Sequence, residues 1–246
     1  NWKFNNLFGL SPAFKKTTIL FLSVVFFFAS FLPADLLAQK RFSRTYPATK
    51  TVRLELTNLE GRVEVSGWDR ELVEIRADLE APAANIVPQN LSNKIIINVL
   101  KDNHERGIGS CNFRVKVPYS SSVDIATRMG DLIVSDVRGM LVSAHVTTEG
   151  DITLTNIFSP SVAAENMTGN ILFDGDIQPG GNYRFISTRG DINLRIPFSS
   201  SFRLVATAPS TRSIDLGAVN NGEMNLLFSG RRVVGKVNGG SAGFTW

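Results

Sequence analysis

A short motif of glycine, a polar residue and an aliphatic residue recurs through the second half of this chain. Its clearest copies begin at Gly130, Gly150, Gly169 and Gly190, so the intervals are 20, 19 and 21 residues. Repetition at a nearly fixed period is typical of proteins whose short units stack on one another, because each unit buries its apolar face against the next. The period therefore favours a solenoid over a sandwich or a barrel.

Equivalent positions of the repeat carry equivalent residues, as stacking requires. The residues two and four positions after the glycines are apolar in every copy, and we expect them to form two columns in the core. The first column is Leu132, Ile152, Ile171 and Ile192, and the second is Val134, Leu154, Phe173 and Leu194. Ile214 and Leu216 extend both columns, but Arg212 stands in place of the glycine, which predicts a degraded last coil.

The turn of each coil has a signature of its own. Glycine adopts a positive φ without strain, so the repeat glycines are predicted to be structural turn residues. Looser copies of the motif begin at Gly61, which we assign to the same role, and at Gly222. Three residues before the repeat glycines lie small polar residues, which we expect to satisfy backbone groups at the turn: Thr127, Thr147, Asn166 and Ser187.

The rest of the chain after residue 39 shows alternation of apolar and polar residues, which is typical of β-strands. Clear examples are Thr51–Leu56, Leu72–Ala77 and Phe113–Val117. We therefore predict an all-β protein, a parallel β-solenoid or β-helix with rungs of roughly twenty residues. Residues 40–119 are expected to form an N-terminal β region, either a cap or irregular first coils, and residues 120–246 the regular coils.

Residues 1–39 have the pattern of an export signal. Lys15 and Lys16 precede sixteen residues without a charge, Thr17–Leu32, and a break follows that begins at Pro33 and ends in a small residue at Ala38. An apolar helix of this length reaches roughly 24 Å, short of the roughly 30 Å hydrocarbon core of a bilayer. We expect a signal peptide cleaved near Ala38, although the large Leu36 leaves an uncleaved N-terminal membrane anchor as the alternative.

Charge and cysteine content narrow the functional classes. The formal net charge of +4 comes partly from the leader, and no basic run with interleaved aromatic residues accompanies it, which argues against nucleic-acid binding. The single cysteine, Cys111, excludes an internal disulfide in an exported chain. Its alternation with Phe113 and Val115 predicts that it points into the core rather than serving as a reactive thiol.

Several ordered motifs resemble the bacterial "putative adhesin" family, an exported β-solenoid domain of unknown function. They are the segment Thr51–Asp69, the Val-Pro pair at 117 and 118 before Val123, the Gly-Asp-Ile repeats, and the insertion Pro179–Tyr183. The likeness covers roughly residues 45–240. It implies an envelope or cell-surface protein, periplasmic, on the outer surface or secreted, and it supplies no functional residues. The chain departs from the pattern at Arg212.

The histidines give little support for catalysis. His145 lies five residues before Gly150, in the expected column of Ile125, Ala164 and Phe185, so we predict that it packs inward. His104 lies in a charged loop and is expected to be solvated. Pairing it with Cys111 as base and nucleophile would need an orienting third group that the spacing does not provide. No closely spaced set of zinc ligands is present.

Two arrangements of carboxylates are sharper candidates. Asp131, Asp151 and Asp191 follow the turn glycines, with Asn170 between them, and we expect these side chains to stack along one edge, either as exposed turn residues or as oxygen ligands for Ca²⁺. Asp174 and Asp176 form a pair before an expected turn. Paired carboxylates hydrolyse glycosidic bonds, and many polysaccharide-cleaving enzymes are parallel β-helices, but no long loops are present to wall a cleft.

The interpretation that fits most of these features is a non-catalytic, exported, adhesin-like structural or interaction module without a cofactor. Candidate partners are an envelope protein, a polysaccharide or another copy of the chain. Membrane contact is expected only through the N-terminal segment, if it is not cleaved. The alternatives are a polysaccharide-acting β-helix enzyme and a Ca²⁺-binding solenoid.

Overall fold

The computed structural model describes residues 40–103, 107–217, 224–227 and 231–245, the segment 224–227 by its backbone only. Alternating apolar and polar residues produce strands almost throughout, because such a chain buries one face of each strand. In chain order the strands are β1 (Lys40–Pro47), β2 (Arg53–Glu60), β3 (Val63–Trp68), β4 (Leu72–Leu79), β5 (Gln89–Leu91), β6 (Lys94–Asn98), β7 (Cys111–Pro118), β8 (Ser122–Met129), β9 (Leu132–Ser135), β10 (Val142–Glu149), β11 (Ile152–Ile157), β12 (Ser161–Thr168), β13 (Ile171–Gly175), β14 (Asn182–Arg189), β15 (Ile192–Arg195), β16 (Phe202–Thr207), β17 (Met224–Leu227), β18 (Arg232–Val237) and β19 (Ala242–Thr245).

The strands form two mixed sheets with one apolar core built from both. Sheet I has eight strands in the order β1-β4-β7-β3-β9-β11-β13-β15. Sheet II has eleven, in the order β17-β18-β16-β19-β14-β12-β10-β8-β2-β6-β5. Buried side chains of both sheets form a single cluster. The predicted all-β class is confirmed.

A short helix, α1 (Val99–Asp102), follows β6. Asn98 caps it, because its side chain accepts a hydrogen bond from the N–H of Lys101 at 3.0 Å. Within the part of the chain that the structure describes, no helix has the length and hydrophobicity needed to cross a bilayer.

The period of the sequence appears in the strand pairing. In each repeat a strand of sheet II is followed by a glycine turn and a strand of sheet I, and these repeat units are β8–β9, β10–β11, β12–β13 and β14–β15. Equivalent strands of successive units pair in parallel. In sheet I, Leu132, Ile152, Ile171 and Ile192 are consecutive partners. The first three are completely buried, whereas Ile192 is only partly buried.

The second core column has the same pattern. Val134, Leu154, Phe173 and Leu194 are consecutive partners across the same strands. Leu194, like Ile192, is partly buried although its equivalents are fully buried. Both columns therefore lose their cover at β15, the last strand of sheet I.

The spatial order of the first units differs from their order in the chain. The unit β2–β3 lies between β6–β7 and β8–β9, because β2 pairs in parallel with both β6 and β8, and β3 with both β7 and β9. The loose motif at Gly61 thus belongs to a unit in the middle of the stack. In the chain before residue 119, the order of the units in sequence therefore differs from their order in space, and the twenty-residue spacing is not regular there.

Antiparallel pairing replaces parallel pairing at both ends. β4 is antiparallel to both β1 and β7, β5 is antiparallel to β6, and β18 is antiparallel to both β16 and β17. β19 inserts in parallel between β14 and β16. The regular pairing of the repeat ends at β15. Ile214 and Leu216 pack against the core without forming a strand, and Gly222 lies outside the described residues.

The prediction that His145 packs inward was wrong. His145 is exposed and pairs with Ala126 and Glu165, and Ala144 takes the buried position beside Ile125 and Ala164. The cause is a bulge: the register shifts between Val146 and Glu149 of β10, where that strand has one residue more than its neighbours.

The same bulge overturns the placement of Thr147 in the polar column. Val146 pairs with Thr127 and Asn166 and is buried, while Thr147 is exposed. Counting back from Gly150 therefore gives a position that is wrong by one residue. In a strand, a shift of one residue moves a side chain to the opposite face.

Candidate functional site

The repeat glycines form a stack at the turn from sheet II to sheet I. Gly61, Gly130, Gly150 and Gly169 have φ values of 116°, 114°, 155° and 131°. A Cβ atom on any of Gly130, Gly150, Gly169 or Gly190 would collide with the carbonyl oxygen of the glycine one unit before it. The φ of Gly190 lies outside the left-handed region, so its backbone conformation alone does not require glycine. Glycine is required there only because the units pack closely.

Polar side chains beside this stack bind its carbonyl groups, as the sequence predicted. Asn166 Nδ2 donates to the carbonyl oxygen of Gly150 at 3.0 Å, and Ser187 Oγ donates to that of Gly169 at 2.9 Å. Asn58, three residues before Gly61, was missed at the sequence level. It is buried, and its Nδ2 donates to the carbonyl oxygen of Cys111 at 2.9 Å.

The acidic column is a ladder of side-chain to backbone hydrogen bonds. Asp131 Oδ1 accepts from the N–H of Asp151 at 3.0 Å, Asp151 Oδ1 from Asn170 at 2.7 Å, and Asn170 Oδ1 from Asp191 at 2.9 Å. Asp191 ends the ladder and accepts from Arg212 Nη1 at 2.5 Å. Carboxylate and amide oxygens serve equally well as acceptors here, which explains how Asn170 stands among aspartates.

The ladder assigns these residues a structural task that does not involve a metal. Each of the side chains of Asp131, Asp151 and Asn170 uses one oxygen to bind the next unit. Among the residues that the structure describes, no group of three or more His, Cys, Asp or Glu side chains is placed to hold a metal ion.

Cys111 lies in the core, as predicted, with no exposed surface. Burial, followed by the negative charge of Glu80, raises the pKa of its thiol from 9.0 to about 11. A nucleophilic cysteine needs a lowered pKa, so this environment favours an inert thiol. His104, the candidate base that the sequence already argues against, lies outside the described residues.

Asp174 and Asp176 lie at the end of β13 and directly after it, before the turn at Pro179 and Gly180. Asp174 belongs to the strand and is the cross-strand partner of Arg195, while Asp176 follows the strand and is exposed. Both line a depression of about 410 Å³ together with Thr155, Asn156 and Arg195. The depression brings two carboxylates and a guanidinium group together at the surface.

A second and larger depression lies where sheet I ends. Sheet I stops at β15, but sheet II continues past β14 by four more strands. The space beside β15 is a groove of about 910 Å³, which we call the end groove. The segment 207–217 lines it as well. Its apolar lining includes residues of β15, β16 and β19 and of the loop between β15 and β16: Ile192, Leu194, Phe198, Phe202, Leu204 and Phe244.

The lining of the end groove also carries charges of both signs. Arg189, Arg195 and Arg212 line it together with Asp191 and Asp215. Arg212 forms an ion pair with Asp191 at 2.5 Å. The groove thus combines an apolar floor with charged groups at fixed positions, which is the composition of most ligand sites in proteins.

Sequence reasoning missed the end groove. The columns of Ile192 and Leu194 pointed to the last unit, but Phe202 and Phe244 come from segments that show no repeat. Their aromatic rings belong to one cluster: Phe244 lies 5.4 Å from Phe202, 5.2 Å from Phe185 and 5.6 Å from Tyr183, measured between ring centroids. A signal was available at Arg212, which replaces the repeat glycine and marks the point after which no further strand of sheet I follows among the described residues.

Comparisons with known proteins give similar solved structures only. No family model matches the chain, and no curated protein matches it. A cell adhesion protein described as "putative", from Clostridium sporogenes ATCC 15579, is 11% identical with a TM-score of 0.43, covering 65% of this chain and 100% of its own. A "putative adhesin" from Bacteroides fragilis NCTC 9343 is 12% identical with a TM-score of 0.28, covering 65% and 99%. Another from Parabacteroides distasonis ATCC 8503 is 13% identical with a TM-score of 0.31, covering 65% and 77%. These descriptions match the resemblance noted in the sequence.

Proposed function

We propose that the protein is a non-catalytic, adhesin-like interaction module of the cell surface or envelope that binds its partner in the end groove. The observation that carries the proposal is the partial exposure of Ile192 and Leu194. Their equivalents in the preceding units are completely buried. Partly exposed core positions in a concave site favour binding of a partner that covers them.

We also propose that the chain after residue 39 has the architecture of a β-solenoid. The repeat units act as rungs of roughly twenty residues in a β-solenoid, with residues 40–119 as an irregular N-terminal region and 120–246 as the coils. In-register parallel pairing and the glycine stack support this description. A solenoid offers long, flat surfaces to a partner, which suits adhesion or scaffolding.

The proposal also includes export. Residues 1–39 act as a signal peptide, or as an N-terminal anchor if they are retained, and deliver the rest of the chain to the periplasm, the outer surface or the medium. The test is fractionation of cells that express the full chain, combined with protease treatment of intact cells and a mass measurement of the N-terminus. Unprocessed protein confined to the cytosol would reject export.

Binding is tested with a matched pair of variants. Leu194→Asn places a polar group in the end groove, while Leu172→Asn makes the same change on the outer face of the neighbouring strand, where Leu172 is also partly exposed. We expect only Leu194→Asn to reduce retention of the purified protein on envelope fractions. Equal retention of both variants and the unchanged protein would reject the end groove as the binding site.

The depression at Asp174 and Asp176 supports a second candidate, a polysaccharide-cleaving enzyme. Such an enzyme releases reducing ends from an envelope or plant polysaccharide, and Asp174→Asn or Asp176→Asn abolishes the release. A binding module leaves the polymer intact. The assay therefore separates the two functions without knowledge of the natural ligand.

A further inference from the structure

The end groove has an unpaired strand edge as well as an apolar floor. In each repeat unit, the N–H of the first core residue donates to a carbonyl of the next unit: Leu132 to Asp151, Ile152 to Asn170 and Ile171 to Asp191, each at 2.9 Å. The equivalent donor in β15 is the N–H of Ile192. β15 is the last strand of sheet I among the described residues, so this N–H has no neighbouring strand to bind, and Ile192 lines the end groove.

The alternation of a parallel ladder identifies the other groups on this edge. Asp191 and Asn193 direct their backbone groups to β13, because Ile171 donates to the carbonyl oxygen of Asp191. Ile192 and Leu194 therefore direct both N–H and C=O away from β13. The side chains of the same two residues are only partly buried. At this edge, backbone groups without a hydrogen-bonding strand and incompletely buried apolar side chains therefore occur on the same residues.

We infer that the end groove binds an extended polypeptide segment of a partner protein, which adds to sheet I as a further strand beside β15. This inference rests on the proposed function and names the chemistry of its ligand. A polypeptide strand offers a donor and an acceptor at the spacing that Ile192 and Leu194 need, and its alternate side chains cover the two core columns. A lipid chain has no donor or acceptor for this edge, and the hydroxyl groups of a sugar do not repeat at the spacing of a strand.

The shape of the groove favours a single segment over an intact second copy of this chain. Sheet II extends four strands beyond β14, which is roughly 19 Å at the usual strand spacing. A second copy that continued both sheets would need the space that β19, β16 and β18 already occupy. One added strand needs space only on the side of sheet I.

The probe is a synthetic peptide with the sequence of residues 149–158, which contains β11 and pairs in parallel with its neighbours in the protein. In β11 the N–H of Ile152 points to the following unit, so the N–H of Thr153 points to the preceding one. N-methylation at Thr153 therefore removes the donor that would face β15. N-methylation at Leu154 removes one that faces away and serves as the matched control.

Binding of the labelled peptide to the full chain is followed by fluorescence polarisation. We expect methylation at Thr153 to weaken binding by about tenfold or more, and methylation at Leu154 by less than about threefold. Leu194→Asn is expected to weaken binding, and Leu172→Asn is expected to retain it. No binding up to about 1 mM peptide, or equal binding of the two methylated peptides, would overturn the inference.

Hydrogen exchange gives a readout that needs no substitution. Bound peptide is expected to slow exchange of the amides of Ile192 and Leu194 and to leave that of Asn193 unchanged, since the last is already directed at β13. Unchanged exchange at Ile192 and Leu194 would also overturn the inference.

Ile192→Pro distinguishes the partner from a second copy. Proline at an edge removes an N–H that is not used within the sheet, so we expect a folded variant that no longer binds the peptide. If the unchanged chain instead sediments as an oligomer and Ile192→Pro makes it monomeric, the occupant is a second copy and the choice of a partner protein is wrong. A third outcome separates this inference from the proposed function. If the peptide does not bind but Leu194→Asn still reduces retention on envelope fractions, the end groove remains the binding site and the addition of a strand beside β15 is rejected.

Discussion

Asp131 Oδ1 lies 3.0 Å from the backbone nitrogen of Asp151 and accepts a hydrogen bond from it, one repeat unit further along the stack. Asp151 in turn accepts from the N–H of Asn170 at 2.7 Å. We predict that Asp151→Ala lowers the free energy of unfolding by about 1 kcal/mol, the usual net value of such a bond. Urea denaturation of the full chain measures this loss.

Asp151→Asn is the informative control. The amide oxygen retains the acceptor, as Asn170 already does within the ladder, and the substitution removes a negative charge next to Asp131. We expect stability equal to or above that of the unchanged protein. A loss as large as that of Asp151→Ala would show that the charge, rather than the acceptor, is what the column requires.

The glycine stack makes a stronger prediction. A Cβ at Gly169 would collide with the carbonyl oxygen of Gly150, and the φ of Gly169 is 131°. Gly169→Ala therefore strains the backbone and pushes two units apart, and we expect a loss above the common range of about 0.5–3 kcal/mol. Chemical denaturation, or failure to recover folded protein, reports it.

Gly180 separates the two causes of that loss. Its φ is 72°, but a Cβ would meet nothing within 4 Å. Gly180→Ala is thus expected to cost only about 1–2 kcal/mol, the price of the left-handed conformation. Similar losses for Gly180→Ala and Gly169→Ala would contradict the close packing of the stack.

The repeat made the central units predictable. A side chain at one position of a unit must pack on its copy in the next, so the columns of Leu132 and Val134 could be identified from spacing alone. The polar positions of Asn166 and Ser187, which bind carbonyl groups of the glycine stack, followed from the same period. Where each unit constrains its neighbour, the sequence repeats and the structure can be anticipated.

The arrangement of the chain before residue 119 and after β15 could not be anticipated, because the period is blurred or absent in those segments. The placement of β2–β3 between β6–β7 and β8–β9 depends on which strand edges remain free after folding, and the spacing of Gly61 does not encode it. The end groove depends on Phe202 and Phe244, which are distant in sequence. The prediction for His145 was wrong for a more local reason. The bulge after Val146 adds one residue to β10 but keeps the interval between glycines near twenty residues, so the spacing does not reveal it.

The bulge in β10 can be tested by a pair of substitutions. His145 is exposed, so His145→Ala is expected to change the free energy of unfolding by less than about 0.5 kcal/mol. Ala144 is 2% exposed, so Ala144→Leu overfills the core and is expected to cost about 1–3 kcal/mol. Denaturation curves of both variants give the comparison, and the reverse order of losses would place His145 in the core.

Cys111 predicts a dependence of stability on alkaline pH. Burial and the charge of Glu80 raise the pKa of the thiol in the folded protein to about 11, from 9.0. A raised pKa means that the thiol contributes its full stability below pH 9 and loses it as pH rises towards 11, because only the unfolded chain releases the proton in that window. The loss amounts to roughly 2–3 kcal/mol.

Cys111→Ala isolates the contribution of the thiol, because every other group is the same in the two proteins. We expect the difference in stability between the unchanged protein and Cys111→Ala to shrink by roughly 2 kcal/mol from about pH 8 to about pH 11. A difference that is constant over this range would show that the thiol has an ordinary pKa.

The position of β19 is tested by Phe244, whose ring stacks on that of Tyr183 with an interplanar angle of 14° and is 1% exposed. If β19 lies between β14 and β16, Phe244→Ala leaves a cavity between the sheets and is expected to cost about 3–5 kcal/mol. Phe198→Ala removes the same ring where it is 79% exposed and is expected to cost less than about 0.5 kcal/mol. Urea midpoints measure both losses. Equal, small losses would mean that Phe244 does not lie in the core and that β19 does not occupy the position between β14 and β16. Removal of a buried ring must leave a void, whereas removal of an exposed ring does not.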